Sequence, residues 1–151
     1  MNIKSKPNII VFFTDQQRWD TSSLHGNPLS LMENFDHYAV EGTHLYNSFT
    51  CQPVCGPARA SLQSGMYATK TGCFKNRIPL KKNIKTLAKY LSKEGYATGY
   101  IGKWHLGSSE PVKKEDRGGY DYWLGSNLLE FTSDAYETYV YDGQNKKVFL
   151  P

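Results

Sequence analysis

The chain has 151 residues, 39% hydrophobic and 21% charged, with a net charge of +4. Its length suits one domain and its composition reads as soluble and globular. No apolar run is long enough to cross a bilayer, and the modest positive charge comes without a nucleic-acid recognition motif. The start, Met1 to Pro7, lacks an apolar signal region, so the chain as given is expected to be cytoplasmic by default. A trimmed periplasmic or secreted protein would read the same. Three cysteines, Cys51, Cys55 and Cys73, exclude a complete disulfide framework. A Cys51–Cys55 bridge or metal pair stays open, although no second Cys or His pair with zinc spacing supports a metal.

Residues Asn8 to Thr14 form a continuous β-branched and aromatic run, the pattern of a strand buried on both faces of a parallel sheet. The run ends at Asp15 and Gln16, and in open α/β sheets ligands collect at such carboxyl ends. Their carboxylate and amide oxygens suit Ca²⁺ or Mg²⁺, while the plainer reading of Asp15 is a turn cap. A helix is expected from Ser30 to Glu41, with Ser30 and Glu33 as a capping box and Gly42 at its end. A strand at about His44 to Phe49 follows. His25, His37 and His44 read as loop or surface histidines.

The stretch Cys51 to Gly65 carries the strongest local pattern. Pro57 suits the first turn of a helix and Gly65 the left-handed residue past its end. Cys55 then stands at a helix N-terminus, where backbone N–H groups favour an anion, with the planar fork of Arg59 one turn on. A thiol in that place is activated. Met66 to Pro79 reads as a basic loop, and the lysines between Lys70 and Lys93 as a solvated face, with attraction of polyanions as the alternative. Asn83 is expected to cap a helix from Ile84 to Glu94, closed by Gly95. A strand from Ala97 to Ile101 then delivers Lys103 and His105, which point the same way if the segment stays extended. Trp123 is expected to pack, and Asp142 with Gly143 to turn a hairpin. Three or four core strands are visible, few for an α/β enzyme.

Together these blocks resemble the sulfatase family. Cys55 to Gly65 resembles its first signature, Cys-x-Pro-x-Arg followed by a short helix and glycine. Gly95 to His105 is similar to its second, and the strand ending at Asp15 is where the family begins its metal site. The register selects Cys55 over Cys51, because four residues after Cys51 stands Cys55 and not an arginine.

The resemblance implies an α/β, alkaline phosphatase-like fold with a mostly parallel sheet and flanking helices. It implies that residues 1–151 are the N-terminal part of a catalytic domain, inactive alone because further metal ligands come later. It also implies oxidation of Cys55 to formylglycine by a formylglycine-generating enzyme. The aldehyde hydrate would then attack the sulfur of a sulfate monoester on a sulfated small molecule or carbohydrate, beside a Ca²⁺ or Mg²⁺ ion. Metal ligands would be Asp15, Gln16 and Cys55; Arg59, Lys103 and His105 would serve catalysis, with Lys103 on the sulfate. Two departures stand out: Gln16 where relatives carry a second aspartate, and Ala58 where serine is common. A phosphonate or phosphate ester hydrolase and a non-catalytic remnant are the alternatives.

Overall fold

The computed structural model of the protein describes residues 6–134 and 136–150. They fall into two compact units, the first ending at Ser48 and the second beginning at Phe49. Most of Met1 to Pro7, read above for a signal region, and the final Pro151 lie outside the described residues. No helix among the described residues is long and apolar enough to cross a membrane.

In the first unit, helix α1 spans Glu33–Glu41, preceded by single 3-10 turns at Trp19–Thr21 and Ser23–His25. Asp36 ties α1 to those turns, accepting hydrogen bonds from the Ser22 hydroxyl and, at 3.0 Å, from Ser23 N–H. The Ser22 hydrogen bond is the main reason the Asp36 carboxyl titrates below its usual range. The rings of Trp19 and His25 stack at 3.9 Å, and His25 Nε2 lies 3.1 Å from His44 Nε2. His25 and His44 are therefore half-buried in an aromatic cluster, His44 in a loop as expected, whereas His37 is exposed.

Three expectations for this part of the chain fail. Asn8 to Thr14 forms no strand and is exposed, and no strand forms at His44 to Phe49. An apolar, β-branched composition records a tendency, but ladder hydrogen bonds to a neighbour make a strand. Helix α1 begins three residues later than expected. Ser30 has φ of 47°, outside the extended region an N-cap needs, and Met32 precedes the helix without a side-chain cap.

The second unit holds α2 (Cys55–Ser64), α3 (Ala68–Thr71), α4 (Leu87–Lys93), and strands β1 (Gly99–Lys103), β2 (Tyr122–Ser126), β3 (Tyr139–Tyr141) and β4 (Lys147–Phe149). The sheet runs in the order β1-β2-β3-β4, with β1 and β2 parallel and the later pairs antiparallel. The mixed pattern follows from the connections. A crossover joins β1 to β2, whereas the short turn around Asp142 and Gly143 folds β3 directly onto β4. Gly125 faces Gly102 in the parallel pair, and a Cβ on Gly125 would lie 2.7 Å from the Gly102 carbonyl oxygen. Gly125 thus lets the strand carrying Lys103 approach its neighbour.

Helix α4 is shorter than its periodicity predicts, because Thr86 and not Asn83 caps it, accepting from Lys89 N–H at 3.3 Å. The loop expected after Gly65 contains the one-turn α3. The core gathers Ala60, Cys73, Leu80, Leu106, Val112 and the indoles of Trp104 and Trp123. Trp123 packs as expected, stacked on Tyr100 at 5.3 Å and edge-on to Trp104 at 5.6 Å. Such aromatic pairs add to the area that they bury. Two members of this cluster, Trp104 and Leu106, alternate in the chain with Lys103 and His105.

Candidate functional site

Helix α2 starts at Cys55, as the proline and glycine pattern predicts. Val54 precedes it in an extended conformation, and Gly65 ends it at φ of 67°. The Gly56 N–H, one of the first-turn donors that the helix itself cannot satisfy, donates to Asn76 Oδ1 at 2.8 Å. Cys55 is half-buried at this N-terminus. None of the three cysteines is in a disulfide: Cys51 is exposed, with its Sγ 2.8 Å from Ser61 Oγ, and Cys73 is buried. The Cys51–Cys55 bridge left open by the sequence does not form.

The end of β1 meets this helix. Lys103 Nζ lies 3.8 Å from Cys55 Sγ, and the Lys103 side chain is only 5% exposed. Arg59, 6% exposed, donates from Nη1 to the Lys103 carbonyl oxygen at 2.6 Å, and the Tyr100 hydroxyl donates to the same oxygen. Sheet-like bonding continues past β1, from Trp104 N–H to the Ser126 carbonyl and from His105 N–H to the Asn127 carbonyl, both at 2.8 Å. His105 is buried and left-handed, with φ of 57°. The segment is therefore not extended as far as His105, and the simple alternation expected for Lys103 and His105 does not hold.

Cys55, Arg59 and Lys103, up to 48 residues apart in the chain, thus share one place. An ammonium beside Cys55 and a helix N-terminus make it a place for oxyanions. It also fits an oxygen-bearing side chain at position 55, because Lys103 can donate to such an oxygen.

Asp15 and Gln16 belong to the first unit, where they form an exposed bend with Gln16 at φ of 54°. Carboxylate and amide oxygens are the right donor type for a hard cation, but two side chains supply a minority of the six to eight ligands that calcium takes. Among the described residues no three His, Cys, Asp or Glu side chains gather as a metal site.

The sequence reading missed Glu130. It stands in the 3-10 turn Leu129–Phe131 after β2 and pairs with Lys103. Burial pushes the Glu130 carboxyl up. The hydrogen bond from Lys103, a backbone hydrogen bond and the charge of Lys103, with a smaller contribution from His105, outweigh that and leave it below the usual carboxylate range. Nothing in the acid- and tyrosine-rich stretch around it marks this residue. Asn76 was missed for the same reason, as a single asparagine in a basic loop.

The sequence profile of the sulfatase family matches residues 7–150. The uncharacterized sulfatase YidJ of Escherichia coli K12 is 39% identical over 132 residues, covering 82% of this chain and 26% of that protein. An ulvan-active sulfatase of Formosa agariphila is 37% identical over 147 residues, covering 95% of this chain and 28% of that protein. The solved structure of BT4656, in complex with its substrate D-glucosamine-2-N,6-O-disulfate, matches with a TM-score of 0.82 at 28% identity. That match covers 97% of this chain and 28% of the other. The chain thus spans little more than a quarter of the length of these relatives. It keeps their α/β fold over nearly all of its own, and it belongs to the sulfatase family.

Proposed function

We propose that this chain supplies the nucleophile-bearing part of a sulfuric ester hydrolase that cleaves sulfate monoesters. The observation that carries the reading is the Lys103 ammonium 3.8 Å from Cys55 Sγ, with Arg59 bonded to the Lys103 backbone. Lys103 binds a sulfate oxygen and holds the negative charge that grows there as the ester bond breaks. Arg59 fixes the main chain from which Lys103 projects, and so the position of its ammonium. His105 donates a hydrogen bond to the oxygen-bearing side chain at position 55.

Formylglycine at position 55 supplies the nucleophilic oxygen. Asp15 and Gln16 carry donor oxygens that would hold a divalent cation such as Ca²⁺ or Mg²⁺, which would supply Lewis acidity. With Gln16 in place of a second aspartate the site carries one less negative charge, which lowers its affinity for the cation. A sulfated carbohydrate is the substrate class favoured by the ulvan-active relative and the glucosamine disulfate complex of BT4656. The partner needed beforehand is a formylglycine-generating enzyme.

The test is to express the protein with and without a formylglycine-generating enzyme. The expected mass spectrum shows the Cys55 peptide converted to an aldehyde that a hydrazide captures, and the full-length protein, so modified, turns over aryl sulfate faster than aryl phosphonate. An intact Cys55 thiol despite that enzyme sinks the proposal. Preference for aryl phosphonate transfers the site to phosphonate ester hydrolysis.

A further inference from the structure

The outer side of the Lys103 ammonium is taken by a residue with no part in the reaction above. The Lys103 side chain is 5% exposed and that of Glu130 is 55% exposed. The ammonium therefore contacts both Cys55 Sγ, at 3.8 Å, and a carboxylate that opens to solvent. The turn carrying Glu130 is well anchored. Leu128 N–H donates to the Glu110 carboxylate at 2.9 Å, and the Thr132 hydroxyl to Ser126 Oγ at 3.0 Å. Its backbone is held while its side chain keeps an open side through which to swing.

A carboxylate and a sulfate ester present the same thing to an ammonium: oxygens that share a negative charge. An ammonium has only three donors, all on one nitrogen, so two anions on Lys103 stand close enough to repel. We propose that Glu130 is a specificity-determining residue. Its carboxylate occupies Lys103 as a stand-in for sulfate, yields that place to the substrate, and then disfavours a second negative charge next to the scissile sulfate. This inference rests on Lys103 being the sulfate contact. It adds that neutral hydroxyl or ammonium neighbours of the sulfate are favoured, because they can donate to the displaced carboxylate.

The experiment measures inorganic sulfate binding by calorimetry to the unmodified cysteine form of the protein, at low salt. Wild type is compared with Glu130→Gln, with Glu130→Asp as the conservative variant. Circular dichroism confirms that each is folded. Glu130→Gln is expected to bind sulfate about tenfold more tightly, by relief of the competing charge. Glu130→Asp stays near wild type, and the gain shrinks as salt is raised. Equal affinities, weaker binding by Glu130→Gln, or no sulfate binding by either form overturns the inference. No turnover enters this measurement. An intact Cys55 thiol or absent sulfatase activity therefore counts against the proposed reaction, and an unchanged sulfate affinity against the role of Glu130.

Discussion

Replacing Tyr100 by phenylalanine and Arg59 by methionine, singly and together, tests how Lys103 is held. The Lys103 carbonyl oxygen accepts from Arg59 Nη1 at 2.6 Å and from the Tyr100 hydroxyl. Losing one donor leaves the oxygen satisfied by the other; losing both strands a buried acceptor. Tyr100→Phe is expected to cost about 0.5–1.5 kcal/mol, the net value of a neutral hydrogen bond. Arg59→Met keeps an unbranched stem but removes a charged donor, at about 1.5–3 kcal/mol. The double variant adds the desolvation of the orphaned carbonyl, so it exceeds the sum of the singles by about 1–3 kcal/mol. Urea unfolding read by the fluorescence of buried Trp104 and Trp123 gives the three differences, provided the denaturant slope is unchanged. Additivity to within about 0.5 kcal/mol would refute the shared-acceptor argument.

Asn76→Ala removes the acceptor of the Gly56 N–H and is expected to cost about 1 kcal/mol, as the loss of a helix cap does. Asn76→Asp keeps an acceptor there and should unfold at or above the wild-type urea midpoint; equal loss in both variants would show that the bond is not the cause. Ellman's reagent at neutral pH is expected to label exposed Cys51 within the mixing time and buried Cys73 only after unfolding. Burial also pushes the Cys73 thiol above its ordinary value near 9.0. The stability it gives is therefore complete below about pH 9 and falls as pH rises through the folded value, because the unfolded thiol ionises first. Native labelling of Cys73 as fast as Cys51, or no alkaline loss of urea stability relative to Cys73→Ala, would count against that burial.

Helix α2 could be read almost to the residue. Its start at Cys55, the proline in its first turn and Gly65 beyond its end are local rules, settled by φ preferences and missing N–H groups within one short segment. The strand before His105, the packing of Trp123 and the turn near Asp142 were legible on similar grounds. The segment Asn8 to Thr14 was not. Its residues suit a strand, but a strand is completed by a partner, and composition names no partner. Ser30 and Asn83 misled for a related reason: each matches a capping pattern, yet helix starts were decided by the backbone at Ser30 and by Thr86, which also bonds the Gly118 carbonyl.

The sequence by itself determined the order of the candidate site residues, Cys55 in register with Arg59, then Lys103 and His105, and the resemblance to two sulfatase signatures is what singled them out. Short-range spacing and backbone preference suffice for the helix that begins at Cys55 and for its register with Arg59. Only the tertiary structure decided that Lys103 reaches Cys55, that Arg59 serves the Lys103 carbonyl, and that Glu130 shares the same ammonium. Those are contacts between segments 27 to 48 residues apart. Such pairings depend on how the sheet and the tryptophan core bring distant pieces of chain together, and no local pattern encodes them.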